Sequence, residues 1–389
     1  MTFDLSKIVR PKIFNLEPYR CARDDFTEGV LLDANENPHG PVVKDSNREF
    51  VLNRYPDPHQ VAFKTKMSEL RNSQSVFKDQ KITPLSADNL CLGVGSDESI
   101  DALIRACCVP GKDKILIMTP TYGMYSICAD INDVEIIKVP LIVEDNSFQM
   151  NTDKVIETLQ GDSNIKIAFV TSPGNPTGAL IDIASIEKIL SQWQSGIVAI
   201  DEAYIDFCST GGSAAPLVNK YPNLAVLQTL SKSFGLAGVR LGVTFTSKDL
   251  SRVLNAMKAP YNISSMASNL VLKALSSESV QTMKDNVQEI VEERERVLKA
   301  LTSMENVQDT QVGGLDANFI MVRIVDGGKG NNELSKALYY RLATESGVVV
   351  RFRGTEYGCT GCLRITIGTH EENSKLIKEF EKKLKELTA

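Results

Sequence analysis

A series of short apolar runs lies between residues 90 and 245, and stretches with a helical pattern separate these runs. Continuous apolar runs of this length, placed between helices, are typical of parallel strands that are buried on both faces. The sequence therefore predicts an α/β fold with an open, mostly parallel sheet. The candidate strands are residues 114–118, 134–139, 166–171, 196–200, 224–229 and 241–245.

The pattern changes after Pro260, where longer amphipathic segments begin. Residues 264–304 are amphipathic and charged, with a break near residues 276–279, so we predict two helices there. A further helix is predicted from about residue 371, at the C-terminal end. Three more strands complete a smaller α+β unit, at residues 318–324, 348–353 and 362–367.

These changes of pattern predict three parts of the chain. An N-terminal arm covers residues 1–30, a large α/β domain covers 31–260, and a small C-terminal α+β domain covers 261–389. The arm contains Pro11 and Pro18 and shows little periodicity, so we expect it to be extended.

Composition argues against several classes of function. The chain has 389 residues, of which 42% are hydrophobic and 24% are charged, an ordinary globular balance. The net charge of −6 and the lack of a basic cluster argue against binding to nucleic acid. No apolar run reaches the length of a membrane span, and the first residues lack the apolar segment of a signal peptide. We therefore expect no membrane association and a cytoplasmic location.

Cysteine usage predicts reduced thiols rather than a metal centre. The eight cysteines include one Cys-x-x-Cys pair, Cys359 and Cys362. A zinc site needs two more ligands, and His39, His59 and His370 do not have ligand spacing. We therefore predict no metal site and interpret the pair as a tight turn before a strand.

Lys232 follows the apolar run 224–229 and lies between Ser231 and Ser233, with Arg240 further along the same glycine-containing loop. A partly desolvated ammonium close to a second cation loses its proton more easily. The neutral amine can then attack an aldehyde and form a covalent bond with it. The segment therefore predicts a reactive lysine, and an incidental surface lysine is the alternative.

Other polar residues also follow predicted strands. Gly95, Ser96 and Asp97 open a helix whose free amides could bind an anion, although a simple helix cap would look the same. Asn175 lies in a loop constrained by proline and glycine, where a plain turn residue is the alternative. Asp201 ends an apolar strand, where a buried carboxylate is costly unless it pairs with a cation such as a protonated pyridine nitrogen, and an acid that caps the next element is the alternative.

Because open α/β sheets bind ligands at the carboxyl ends of their strands, we expect these side chains to share one site. Their motifs resemble those of the fold type I, pyridoxal-phosphate-dependent transferases, and in particular the class II-type aminotransferases of fungi. The resemblance covers essentially the whole chain. The motifs that carry it are Asn35-Glu-Asn-Pro38, Arg54-Tyr-Pro-Asp-Pro58, Gly95-Ser-Asp-Glu98, Pro120-Thr-Tyr-Gly-Met-Tyr125, Gly174-Asn-Pro-Thr-Gly178, Asp201-Glu-Ala-Tyr204, the Lys232 segment and Cys362-Leu-Arg-Ile-Thr-Ile-Gly368.

The resemblance implies pyridoxal 5′-phosphate as the cofactor and a role for each matching residue. Lys232 would attach the cofactor covalently, and Asp201 would pair with its ring nitrogen. The ring oxygen would be bound by Asn175 and Tyr204, and the ring face would stack on Tyr122. The cofactor phosphate would be held by Gly95, Ser96, Asp97, Ser231 and Arg240. Tyr55 of a neighbouring subunit would also reach it, which implies a homodimer.

The resemblance also implies the substrates, which are histidinol phosphate and glutamate or 2-oxoglutarate in a ping-pong reaction. Arg364 and Arg351 would bind their anionic groups, because the planar guanidinium fork suits both carboxylate and phosphate. Asn35, Tyr19, Tyr55 and Asn175 would complete the substrate site. Alternation along the strand puts Arg353 on the same face as Arg351, and either arginine could instead be solvated or paired.

Several alternative functions are compatible with part of this pattern. An aromatic aminotransferase or an amino-acid-phosphate decarboxylase of the same fold would share the cofactor residues and differ in the substrate loops. A ligand-binding regulator would need a DNA-binding module, for which the short arm leaves no room. A dinucleotide-dependent oxidoreductase is disfavoured, because the third glycine of its fingerprint is missing after Gly95 and Lys232 would have no role.

Overall fold

The structure is a computed structural model that describes residues 2–20, 22–25, 32–42, 51–209 and 211–389. A seven-stranded sheet forms its centre, with the strand order β1-β7-β6-β5-β4-β2-β3. The strands are β1 (Leu90–Gly93), β2 (Lys114–Thr119), β3 (Glu135–Pro140), β4 (Ile165–Thr171), β5 (Ile197–Asp201), β6 (Leu224–Thr229) and β7 (Gly242–Thr246). The predicted α/β fold with a mostly parallel sheet is confirmed.

Strand β7 is the exception to the parallel arrangement, and it corrects the prediction for residues 241–245. It pairs antiparallel with both β1 and β6, whereas β2, β3, β4, β5 and β6 pair in parallel. The register places Thr229 opposite Gly242. The loop that carries Lys232 therefore returns the chain directly alongside β6, which makes antiparallel pairing the only one available without a crossover.

Helices cover both faces of this sheet. In β5, Val198 and Ile200 belong to one buried cluster, whereas Ile197 and Ala199 belong to another. Since successive strand residues point to opposite faces, the two clusters are the cores above and below the sheet. The helices up to this point are α1 (Pro11–Phe14), α2 (Val61–Ser73), α3 (Gly95–Cys107), α4 (Met124–Ile131), α5 (Thr152–Gly161), α6 (Ile183–Gln192) and α7 (Lys248–Met257).

The C-terminal part contains a second, antiparallel sheet of three strands in the order β11-β12-β8, beside a short hairpin of β9 and β10. The predicted strand at 348–353 is reduced to two residues, and the hairpin was not predicted. The elements are α8 (Ser265–Ala274), α9 (Ser277–Thr302), β8 (Phe319–Arg323), β9 (Val325–Asp326), β10 (Lys329–Gly330), α10 (Asn332–Glu345), β11 (Arg351–Phe352), β12 (Cys362–Thr366) and α11 (His370–Thr388).

The predicted break between two helices is confirmed at Ser276, whose side chain caps α9 by accepting a hydrogen bond from Ser279 N at 3.2 Å. Val271 of helix α8 and Leu275, which caps its C-terminal end, belong to the core of the larger sheet, although both follow residue 260. The division at residue 260 stays a prediction, and it falls between the two sheets.

The described part of the N-terminal arm is not extended throughout, so that prediction is wrong for residues 5–14. Leu5–Lys7 forms a short 3-10 helix, and α1 follows with Pro11 at its start. Leu5, Ile8 and Val9 are buried in one core of the large sheet. Burial of these three side chains and the fixed φ of a proline at the first helical position favour compact turns there.

No helix in the described ranges has the length and apolar character to cross a membrane. In the same ranges, no group of three or more His, Cys, Asp and Glu side chains is arranged to hold a metal ion. The seven described cysteines are free thiols, and Cys359 and Cys362 are buried. Cys21 lies outside the described residues.

Candidate active site

A cavity of about 420 Å³ lies where the carboxyl ends of β4, β5 and β6 meet the short strand β11 and its neighbour β12. Open α/β sheets bind their ligands at this edge. The structure thus brings together residues that are far apart in the sequence. The predicted residues that line the cavity are Ser96, Asp97, Tyr122, Asn175, Asp201, Tyr204, Ser231, Lys232, Arg240, Arg351 and Arg364.

Lys232 lies just beyond the end of β6. The Thr229 hydroxyl accepts a hydrogen bond from Ser231 N at 3.1 Å and donates one to Ser231 Oγ at 2.9 Å, which holds the turn before the lysine. Solvent reaches the Lys232 side chain through the cavity, but partial burial of its amine lowers the pKa below the ordinary value. The positive charges of Arg364 and Arg240 lower it further, in that order.

Asp201 ends β5 and is only 3% exposed. Its Oδ2 accepts a hydrogen bond from the Tyr125 hydroxyl at 2.8 Å, and its Oδ1 accepts one from Ala203 N at 3.1 Å. Burial raises the pKa of Asp201, and these hydrogen bonds oppose the rise. Within the described residues, no cationic side chain forms a salt bridge with this carboxylate, so the site would accommodate a positively charged ligand atom beside it.

Residues at the start of α3 and Arg240 line another part of the cavity. Gly95 has a φ of +77°, which favours glycine, and an added Cβ would lie 2.5 Å from Nη2 of Arg240, so the arginine side chain would have to shift. Arg240 donates to Asp97 Oδ2 at 3.2 Å, and the Tyr122 hydroxyl donates to Asp97 Oδ1 at 3.1 Å. The free amides of a helix start beside an arginine favour an anionic group such as a phosphate.

Asn175 and Tyr204 line the cavity where it faces the second sheet, since each contacts a residue of that sheet. Asn175 is buried, and its Oδ1 accepts a hydrogen bond from Nη1 of Arg364. Burial raises the pKa of Tyr204 to about 12, so its hydroxyl stays protonated and can donate a hydrogen bond. The Tyr204 ring packs edge-on against Phe319, with 5.2 Å between the ring centres.

Three arginines converge on the cavity from β11, β12 and the residues beside them. Arg351 lies opposite Arg364 in the register of these strands, and Arg353 pairs with Glu356 at 2.7 Å. Burial and the charges of Arg353 and Arg351 lower the pKa of Arg364, and its Nε is buried without a hydrogen-bond partner among the described residues. Crowded cations with free donors make this wall suited to an anionic substrate group.

Tyr19, Asn35 and Tyr55 do not line this cavity within the chain. Tyr55 is 52% exposed and stacks on Tyr261, with 4.6 Å between the ring centres. Tyr19 is exposed and borders a separate cavity of about 570 Å³, and Asn35 is exposed as well. Glu36 accepts hydrogen bonds from Arg54 at 2.6 Å and from Tyr55 N at 2.7 Å, which joins the two motifs. The roles implied for these three residues stay predictions.

Tyr125 and Thr171 are among the residues of the site that were not assigned roles from the sequence. Tyr125 lies in the same motif as Tyr122 and is fully buried, with its hydroxyl bound to Asp201 and to Thr171 at 2.9 Å. The Thr171 side chain lies at the end of β4 and lines the cavity. A tyrosine at an apolar helix position does carry a signal, because a buried hydroxyl needs a partner.

The chain is similar to known aminotransferases over almost its whole length. The family model described as "Aminotransferase class I and II" matches residues 26–380. A protein of Saccharomyces cerevisiae named histidinol-phosphate aminotransferase is 62% identical, covering 100% of this chain and 99% of that protein. A protein of the same name from Schizosaccharomyces pombe is 52% identical, covering 99% of this chain and 98% of its own length.

One solved structure shows the same fold at low sequence identity. It is described as histidinol-phosphate aminotransferase from Sinorhizobium meliloti in complex with pyridoxal-5′-phosphate. The TM-score is 0.73 at 17% identity, and the match covers 86% of this chain and 84% of that one. This similarity supports the predicted fold type I architecture.

Proposed function

The chain belongs to the family of class I and II aminotransferases, and from this premise we propose that it transfers the amino group of L-histidinol phosphate to 2-oxoglutarate. The products are imidazole-acetol phosphate and L-glutamate, and the reversible reaction belongs to histidine biosynthesis. The enzyme uses pyridoxal 5′-phosphate as its cofactor. The observation that carries the proposal is the convergence of Lys232, Asp201 and Arg364 on one cavity.

The donors around the cavity fit this cofactor. Asp201 is a buried carboxylate without a cationic partner among the described residues, which suits a protonated ring nitrogen. Asn175 and the protonated Tyr204 offer bonds to the ring oxygen, and Tyr122 offers its ring face. The phosphate would be held by the residues at the start of α3, Gly95, Ser96 and Asp97, together with Ser231 and Arg240.

When bound, the cofactor supplies a ring that accepts the electrons of the substrate's α-carbon bond. Lys232 would take the proton from that α-carbon as a general base and would then donate it as a general acid to the carbon that receives the amino group. Partial burial and the charges of Arg364 and Arg240 lower the lysine pKa, so that more of the amine is neutral near pH 7. Lys232 and Asp201 thus act in different parts of one site.

The arginine wall accounts for two substrates in one site. Arg364 can bind the carboxylate of glutamate and the phosphate of histidinol phosphate, because its fork forms paired hydrogen bonds with either anion. Arg351, across the strand pair, is exposed and would contribute to the larger phosphate dianion. Since one carrier of the amino group serves both substrates in turn, the kinetics should be ping-pong.

A single half-reaction tests the proposal. The purified protein loaded with cofactor is mixed with histidinol phosphate in the absence of any keto acid, and the cofactor absorbance is followed. We expect a rapid shift to the spectrum of the aminated cofactor, reversed by 2-oxoglutarate and much slower with phenylalanine. A faster response to phenylalanine would instead identify an aromatic aminotransferase, and release of carbon dioxide from an amino-acid phosphate would identify a decarboxylase.

Substitution of the two arginines tests the substrate assignment. We expect Arg364→Met to lower kcat/KM for histidinol phosphate and for glutamate by about 10²-fold or more, since each anion loses a charge-assisted pair. Arg351→Met should lower kcat/KM for histidinol phosphate more than for glutamate. Arg341→Met, which removes a half-buried arginine of α10 that pairs with Glu345 and Glu386, is the matched control. Equal losses for both substrates in Arg351→Met would contradict its role at the phosphate.

We also propose that the active form is a homodimer and that the enzyme is cytoplasmic. In the homodimer, Tyr55 would reach the cofactor phosphate of the neighbouring subunit. The exposure of Tyr55, which stacks on the half-buried Tyr261, and of Met266 and Leu270 on α8 supports an interface on this side. Sedimentation equilibrium should give twice the chain mass, and a monomer with full activity would contradict the proposal.

A further inference from the structure

A buried, charged hydrogen-bond network lies behind the loops that carry Lys232 and Asp201. Its centre is Arg71 of α2, which is 4% exposed and is remote in sequence from both loops. Two branches leave the guanidinium, and each ends at a residue adjacent to one of these two site residues. Neither branch lines the cavity itself. We call the five side chains of Arg71, Asp206, Ser233, Gln228 and Glu202 the Arg71 network.

The first branch holds the lysine loop. Arg71 Nη1 donates to Asp206 Oδ1 at 2.6 Å, and Nη2 donates to Oδ2 at 3.3 Å. Asp206 Oδ2 also accepts a hydrogen bond from the Ser233 hydroxyl at 2.6 Å. Burial alone would raise the pKa of Asp206, but the charge and hydrogen bonds of Arg71 outweigh it, so the net shift is downward. Ser233 directly follows Lys232, so this ionised pair fixes the backbone beside the reactive amine.

The second branch holds the end of β5. Arg71 Nε donates to Gln228 Oε1 at 2.8 Å, and Gln228 Nε2 donates to Glu202 Oε2 at 2.7 Å. Glu202 is buried and also accepts hydrogen bonds from Ser213 Oγ and Ala214 N, both at 2.6 Å. Glu202 directly follows Asp201, so the carboxylate beside the ring site shares its anchor with the lysine loop.

We propose that Arg71 is a positioning residue, which sets the relative placement of Lys232 and Asp201 through Ser233 and Glu202. The inference rests on the proposed function for the roles of those two residues. A fork with three bonded nitrogens can restrain two loops at once, which a single ammonium cannot do. Catalytic groups must be held within fractions of an ångström, so loss of this common anchor reduces the rate rather than substrate binding.

The test compares Arg71→Met, Arg71→Lys and Ser233→Ala in the cofactor-loaded, full-length protein. We expect Arg71→Met to lower kcat by about tenfold or more, with KM for both substrates changed by less than about threefold. Arg71→Lys keeps a charge beside Asp206 but cannot form every bond of the fork, so its kcat should lie between Arg71→Met and the unchanged protein. Ser233→Ala removes only the link to the lysine loop, so it should lower kcat without loss of stability. This variant therefore tests the proposal even if Arg71→Met fails to fold.

A second measurement does not depend on turnover. In the full-length chain freed of cofactor, acylation of Lys232 by a small amine-reactive reagent is followed against pH by peptide mass spectrometry. We expect the midpoint to move to higher pH in Arg71→Met and Ser233→Ala, because a displaced lysine gains water and leaves the neighbouring arginines. This readout remains valid if histidinol phosphate is not the substrate.

The matched control is Lys383→Met, which removes a buried cation paired with Glu345 and Glu386 in the C-terminal helices. It should lower Tm but leave kcat and the Lys232 profile unchanged. The proposal is overturned if Arg71→Met behaves like this control. It is also overturned if Arg71→Met does not fold and Ser233→Ala keeps both kcat and the lysine profile.

Discussion

Replacement of Lys232 by alanine should lower kcat by about 10⁴-fold or more, because the general base and the covalent attachment point are lost together. The cofactor should still bind noncovalently, since the start of α3, Ser231, Arg240 and Asp201 remain. Steady-state transamination and equilibrium dialysis of the cofactor would measure the two effects separately.

Lys232→Arg is the control for charge. It keeps a cation in the same place, but a guanidinium does not deprotonate in proteins. We therefore expect a loss as large as that in Lys232→Ala, because the neutral amine is what the reaction requires. Near-normal turnover in either variant would contradict the role of Lys232.

The lowered pKa of Lys232 also predicts a direction of pH dependence. A group with a lowered pKa is neutral above that value and becomes protonated as the pH falls through it. The rate of cofactor attachment to the cofactor-free chain should therefore fall with decreasing pH, at a midpoint below that of an ordinary lysine. A midpoint at the value of a free lysine side chain would contradict the electrostatic role of Arg364 and Arg240.

Replacement of Asp201 by asparagine should lower kcat by about 10²- to 10³-fold, the range seen when one preorganised electrostatic partner is removed. Asparagine has nearly the same shape and can still accept the Tyr125 hydrogen bond, but it carries no charge to stabilise a protonated ring nitrogen. Single-turnover kinetics with histidinol phosphate would show the loss in the proton-transfer step rather than in binding.

Tyr125→Phe is the matched control for Asp201→Asn. It removes one hydrogen bond to the carboxylate and keeps the charge. We expect a smaller reduction in kcat than in Asp201→Asn, since one hydrogen bond to a charged group contributes about 1.5–3 kcal/mol and the charge itself remains. A loss in Asp201→Asn no greater than that in Tyr125→Phe would mean that the charge of Asp201 is not used.

Local sequence patterns are sufficient for much of the fold. The apolar run of β5 reads as a strand buried on both faces because every one of its residues is apolar until Asp201. The break at Ser276 is predictable because capping is a local hydrogen bond. The motif around Lys232 is similarly local, since it depends on neighbours in the same loop.

The direction of β7 and the size of β11 depend on interactions between segments. An apolar run has the same appearance in either direction, and the antiparallel pairing of β7 follows from the register of Thr229 with Gly242. Strand β11 retains two residues because its neighbour β12 pairs with it only over Arg351 and Phe352. Partner geometry of this kind leaves no periodic signal in the sequence.

The candidate site divides in the same way. Lys232, Asp201 and Asn175 could be predicted because each follows a strand or occupies a constrained loop, and these positions meet at one sheet edge. The tertiary structure added the interactions between residues that are distant in the sequence. Arg364, from the other sheet, lowers the lysine pKa more than Arg240 does, and Arg71 reaches the loops on both sides of the site from α2. Charges and hydrogen bonds act across space, so the roles of residues distant in the chain depend on how the sheets and helices pack together.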